Sequence, residues 1–142
     1  MEKIALKYIK VQVEVTNWRE AITEAGKLLV NNKKIDSVYI DSMIQAVDSL
    51  GPYIVLMPGF ALAHAAPSPH VKETSISLIT LKNSVNFGSQ NDPVSIVMCI
   101  ACIDKTSHIE LLQEVAKKLM TDGILNKMKQ CKKSEELYAL IN

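Results

Sequence analysis

The chain opens on an alternation. Over residues 8–15, Ile9, Val11, Val13 and Val15 fall on one side and Lys10, Gln12 and Glu14 on the other, the period-two pattern of a half-buried strand. Asn17 follows, with Glu20 three residues on, a capping box that opens a helix. Trp18, Ala21, Ile22, Ala25, Leu28 and Leu29 share one face of that helix. Asn31 and Asn32 end it. Asp36 caps a second helix whose stripe is Tyr39, Ile40, Met43, Val47 and Leu50, and Gly51-Pro52 stops it.

Residues 53–65 are apolar but broken by Pro58-Gly59, so they predict two short extended pieces around a turn. Pro67 and Pro69 exclude a helix interior just beyond. Residues 75–81 predict a strand and residues 82–93 a polar loop. Residues 94–103 are a continuous apolar run, β-branched at several positions, as in a strand buried on both faces. Ser107, with Glu110 three residues later, predicts a helix with its stripe at Ile109, Leu112, Val115, Ala116 and Leu119. Asp122-Gly123 opens a short helix through residue 128, and Ser134 caps a last one ending near Ile141. Strands that alternate with helices predict an α/β domain, 1–142, with helices on both faces of one sheet.

Composition narrows the partners. Hydrophobic residues make up 48% and charged residues 22%, which excludes a disordered chain. Sixteen basic side chains against 15 acidic ones leave no overall field toward nucleic acid or an anionic membrane. No apolar stretch reaches the ~18 residues of a membrane helix. The N-terminus carries no signal-peptide pattern, so a cytoplasmic protein is expected. Three cysteines without framework spacing predict reduced thiols. Cys99 and Cys102 form a C-x-x-C, but residues three apart on a strand face opposite ways, which argues against a redox pair or a metal site. Cys131, among Lys127, Lys129, Lys132 and Lys133, is expected to be exposed. Without interleaved aromatic residues that basic cluster reads as a solvated helix face.

Three histidines could carry chemistry. His64 ends an apolar segment and is flanked by Ala61, Ala63, Ala65 and Ala66, which leave room beside its ring. Ligand sites in α/β sheets gather outside the carboxyl ends of strands. A core histidine bonded to a backbone carbonyl fits the same position. His108 is expected at the first position of its helix, where unpaired N–H groups and the dipole favour an anion. An exposed residue without a role fits there equally. His70, between Pro69 and Val71, reads as a surface loop residue. No Walker or Rossmann glycine motif is present, so no nucleotide cofactor is expected. Without one, a phosphoryl group has to arrive from a phosphorylated donor, and a neutral imidazole nitrogen is a suitable acceptor near pH 7.

These residues resemble a known family. The segment from Gly51 through PGFALAH to NFG, followed by NDPV and SHIELL, is similar to the mannitol/fructose-type EIIA domain of the bacterial sugar phosphotransferase system, and within it to the ascorbate-type proteins. The resemblance implies a mixed sheet of about five strands flanked by helices. It implies that His64 is phosphorylated by HPr and passes the phosphoryl group to a cysteine of an EIIB component, which serves a membrane EIIC permease. It makes His108 the second active-site histidine, stabilising the phosphoryl oxygens. It implies no cofactor, no metal and no nucleic acid. Two departures stand out: Ala63 replaces the proline common before the phosphorylated histidine, and Ala66 replaces the arginine usual in ascorbate-type members. The same chemistry at His64 also fits an EIIA-like regulatory module signalling to a transcription factor. A transporter component hands the phosphoryl group on quickly, whereas a sensor holds it.

Overall fold

The computed structural model describes residues 3–142, apart from the side chain of His108. Its first helix starts where the sequence places it. The Asn17 side chain accepts the Glu20 N–H at 2.9 Å, and the Glu20 carboxylate accepts the Thr16 N–H at 2.8 Å. The elements in chain order are β1 (Ile9–Val13), α1 (Trp18–Val30), α2 (Ser37–Leu50), β2 (Val55–Met57), β3 (Phe60–Ala63), β4 (Ser75–Val85), β5 (Val94–Ala101), α3 (Lys105–Leu119), α4 (Ile124–Gln130) and α5 (Ser134–Ile141). The five strands form one mixed sheet in the order β1-β4-β5-β3-β2. β1 runs parallel to β4 and β3 parallel to β5, while the β4–β5 and β2–β3 pairs are antiparallel.

The two helical layers cover opposite faces. Ser77 of β4 donates to the Ala25 carbonyl of α1 at 2.7 Å, and Cys99 of β5 meets Met43 of α2 at 3.6 Å. Ser77 and Cys99 are register partners, so α1 and α2 share that face. Ile76 and Met98 point the other way and line a small apolar cavity with Leu111, Val115 and Leu119 of α3 and Ile141 of α5. β5 is the centre of the core: every residue from Ile96 to Ala101 is buried. Among the described residues, no helix is both long and apolar enough to cross a membrane.

Several boundaries differ from the sequence reading. β1 spans only Ile9–Val13 and carries an irregularity: Gln12 adopts a left-handed φ of 55° and gives its N–H to the buried Thr80 hydroxyl at 3.0 Å, where the register with β4 shifts between Lys10 and Val13. β4 runs on through the polar residues Lys82, Asn83 and Ser84, which are exposed beyond the helical layers. The loop after it is closed by the Asp92 carboxylate, which accepts the N–H groups of Phe87, Gly88 and Ser89. Lys133, not Ser134, precedes the last helix as its cap residue. Cys131 is buried rather than exposed, because its thiol turns inward to the Lys127 carbonyl at 3.4 Å.

Candidate functional site

His64 is the first residue past β3. Because β3 and β5 are parallel, with Ala63 level with Cys99, both strands end at one rim of the sheet. β4 runs against β5 and starts there, with Ser75 level with Ala101. The entry to α3 follows β5 directly. Topology alone therefore brings His64, Thr74 and the start of α3 to one rim, the position where open α/β sheets place their ligands.

The His64 ring is half-buried and its orientation is fixed. Nδ1 lies 2.8 Å from the Leu62 carbonyl oxygen. A carbonyl can only accept, so Nδ1 carries a proton, and in the neutral ring the lone pair is then on Nε2. The Tyr53 ring meets the imidazole edge-on, with centroids 5.4 Å apart and planes at 83°. The Tyr53 hydroxyl donates to the His64 carbonyl at 3.3 Å. The next residue, Ala65, is held by Tyr39 of α2: its N–H donates to the Tyr39 hydroxyl at 3.0 Å. That hydroxyl in turn faces the carbonyls of Ala65 at 3.0 Å and Ile100 at 3.3 Å. Burial pushes the pKa of both tyrosines up, so both hydroxyls keep their protons at neutral pH.

The segment leading away from His64 is tied to α2 a second time. His70 Nδ1 bonds the Asp36 carboxylate at 2.8 Å, and the Asp36 N–H donates to the His70 carbonyl at 3.0 Å. Asp36 also caps α2 by accepting the Val38 N–H. His70 thus has a half-buried bracing position rather than a bare loop position, and it does not join His64.

The start of α3 corrects the sequence reading. Its cap is Asp104, three residues before the predicted Ser107. The Asp104 carboxylate accepts both the N–H and the hydroxyl of Ser107, at 2.7 and 2.8 Å. Thr74 secures the entry from β4 by accepting the Ile103 N–H at 3.1 Å and lying 3.3 Å from the Ser107 hydroxyl. His108 is therefore the fourth residue of the helix, not the first. Its N–H belongs to the first intrahelical bond rather than to the unpaired set. The anion cradle expected at this terminus is partly filled by Asp104 itself. The His108 side chain lies outside the described residues.

The strand alternation expected for the C-x-x-C does not reach its second cysteine. β5 ends at Ala101, one residue short of Cys102. Both thiols are buried. Burial pushes Cys99 up to about 12 and Cys102 up to about 11, which keeps them as unreactive thiols. Among the described residues, no three His, Cys, Asp or Glu side chains gather where they could hold a metal ion.

Residues 3–142 match the family model described as the phosphoenolpyruvate-dependent sugar phosphotransferase system, EIIA 2. The chain belongs to that family. As an EIIA component it is a phosphotransferase that works through a phosphohistidine, together with HPr and an EIIB component, in sugar uptake. The ascorbate-specific EIIA component of Escherichia coli K12 is 31% identical over 138 residues, covering 96% of this chain and 90% of that protein. The corresponding protein of Salmonella typhimurium is 31% identical over 136 residues, covering 94% and 88%. Among solved EIIA structures, the IIA protein PtxA of Streptococcus mutans superposes with a TM-score of 0.89 at 26% identity, covering 96% of this chain and 87% of that one. The mannitol-specific cryptic enzyme IIA CmtB of E. coli gives 0.88 at 27%, covering 97% and 94%.

The sequence reading missed the two tyrosines that bond the backbone at His64 and Ala65. Tyr39 was one more residue of an apolar stripe, and Tyr53 the start of an extended piece. The available signal was chemical: a tyrosine on a buried face must find a partner for its hydroxyl.

Proposed function

We propose that His64 is the phosphorylated residue of this EIIA component and that residues 1–142 act as one carrier domain in the cytoplasm. Its Nε2 attacks the phosphorus of phosphohistidine on HPr. A new P–N bond forms on Nε2 as the P–N bond to HPr breaks, and the HPr imidazole takes that electron pair and leaves as a neutral ring, its other nitrogen already carrying a proton. A cysteine thiolate of EIIB then attacks the same phosphorus, forming a P–S bond and returning His64 to its starting tautomer. Little covalent work falls to the protein; the reaction needs in-line positioning and donors for the equatorial oxygens. The observation that carries the reading is the Nδ1–H bond to Leu62, which fixes the tautomer with the lone pair on Nε2 at the rim of the sheet. His108, brought to this rim by α3, is assigned to the phosphoryl oxygens on the family resemblance.

L-Ascorbate is the sugar we assign, on the two ascorbate-specific relatives that align with almost the whole chain. Ala66, exposed just beyond Ala65, stands where the resemblance to ascorbate-type members leads one to expect an arginine. The test is incubation with phosphoenolpyruvate, enzyme I and HPr. Acid-labile phosphate should appear on the wild type and vanish in His64→Ala. Labelling that survives in His64→Ala overturns the site. Transfer to an ascorbate-type EIIB but not a mannitol-type EIIB supports the sugar; the reverse overturns it.

A further inference from the structure

Beyond β3 the sheet ladder is not continued by backbone. Ala63 is the last residue of β3 in register with β5. Two residues later, the place of a strand-to-strand bond is taken by the Tyr39 hydroxyl. It accepts the Ala65 N–H at 3.0 Å and faces the Ala65 and Ile100 carbonyls at 3.0 and 3.3 Å. The hydroxyl accepts the Ala65 N–H while its single hydrogen serves one of the two carbonyls at a time. Tyr39 itself is buried, its contact with Ile100 lying in the interior and its bonds to Ala65 part-buried. Tyr53 completes the arrangement from the α2–β2 connection, with its hydroxyl on the His64 carbonyl at 3.3 Å and its ring against the imidazole. The peptide unit between His64 and Ala65 is thus gripped at both ends by side chains from outside the strand, Tyr53 on its carbonyl and Tyr39 on its N–H.

We propose that Tyr39 and Tyr53 are positioning residues for phosphoryl transfer, a hydroxyl clamp that holds the His64–Ala65 backbone so that Nδ1–H stays on Leu62 and Nε2 stays in line with the incoming phosphorus. This rests on His64 being the phosphorylated residue. Both hydroxyls bond backbone groups, on the His64 carbonyl and the Ala65 N–H. Their effect passes through the backbone to the ring, where a small displacement of a nucleophile costs a large factor in rate.

Tyr39→Phe and Tyr53→Phe each remove one oxygen and keep the ring. Rapid-quench phosphorylation by phospho-HPr should show kcat lowered about tenfold in Tyr39→Phe and about threefold in Tyr53→Phe, with KM for phospho-HPr within about twofold of wild type. In 15N spectra the two His64 ring nitrogens should be well separated in the wild type, as a single tautomer requires, and should move toward each other in the variants. A merely structural tyrosine would not move that signature in a folded protein. Should Tyr39→Phe fail to fold, Tyr53→Phe decides, since Tyr53 is 39% exposed and bonds only one carbonyl. Unchanged kcat and unchanged ring shifts overturn the clamp, as does a raised KM at unchanged kcat. His64→Ala run alongside separates the two failures: if it still accepts phosphate, the site is wrong, and if it does not, only the clamp is.

Discussion

The imidazole of His70 and the carboxylate of Asp36 meet at 2.8 Å across the gap between the segment after His64 and the first turn of α2. Lys72 approaches the same carboxylate at 3.9 Å. The hydrogen bond from His70 is the main cause that holds the Asp36 carboxyl below its ordinary range, followed by the bond from the Val38 N–H and the charges of His70 and Lys72. A carboxyl depressed in the folded state stabilises the fold above its unfolded value, near 3.9, and that stabilisation is lost as pH falls through the folded value. Asparagine caps a helix as well as aspartate does, so Asp36→Asn isolates the charge. The variant should melt below wild type at pH 7, and the gap should close as pH falls below about 4. A gap that persists unchanged into acid would show that the carboxylate's charge contributes nothing.

Cys99 and Cys102 should be silent in the native protein. Both are buried, and burial holds their thiols at about 12 and about 11. Thiolate is the reactive form. With Ellman's reagent at pH 8, neither should react on the timescale that labels a free cysteine, whereas guanidinium should release all three thiols of the chain. Rapid native labelling of Cys99 would contradict its position against Met43.

Gly26 lets α1 and α2 approach. A Cβ built there would meet Ile40 Cγ1 at 2.6 Å and Cδ1 at 2.9 Å, closer than real atoms pack. Alanine gains up to about 1 kcal/mol of helix propensity, but overpacking typically costs about 1–3 kcal/mol. Gly26→Ala should therefore lower stability in urea by about 1 kcal/mol. Paired with Ile40→Ala, it should cost less than the two separate losses summed, because the clash partner is gone. Simple additivity would mean the helices shift apart freely.

Much of this architecture is written in short-range signals. Asn17 and Asp36 are caps because their side chains reach N–H groups two or three residues on, and Gly51 ends α2 at φ 85°, a backbone conformation that side chains disfavour. The apolar run of β5 needs no partner to be recognised. The start of α3 shows where such reasoning ends. Asp104 and Ser107 are both good caps by type; Asp104 holds the position because Thr74, thirty residues earlier, binds the Ile103 N–H and reaches Ser107. Gln12 is similar: its irregularity in β1 falls where its N–H meets the hydroxyl of Thr80. At the site, His64 was legible as a histidine at a strand end. The hydroxyls that hold its backbone come from Tyr39 and Tyr53, and only the folded chain brings them there.

The helices are seated to unequal depth. α1 buries Ala21, Ile22, Ala25, Gly26 and Leu29, whereas α3, among its described residues, buries Leu119 alone and leaves Ile109 55% exposed, and an apolar cavity of about 30 Å³ lies beneath Leu111, Val115 and Leu119. Amide protons in the first turns of α3 should therefore exchange with solvent well before those of α1, through local opening rather than global unfolding. Such exchange would make one wall of the His64 rim firm and the other compliant. A carrier that must fit a donor and then an acceptor of different shape would then have its adaptable side in the α3 layer, with β3, the strand that leads to His64, held fixed in the buried sheet.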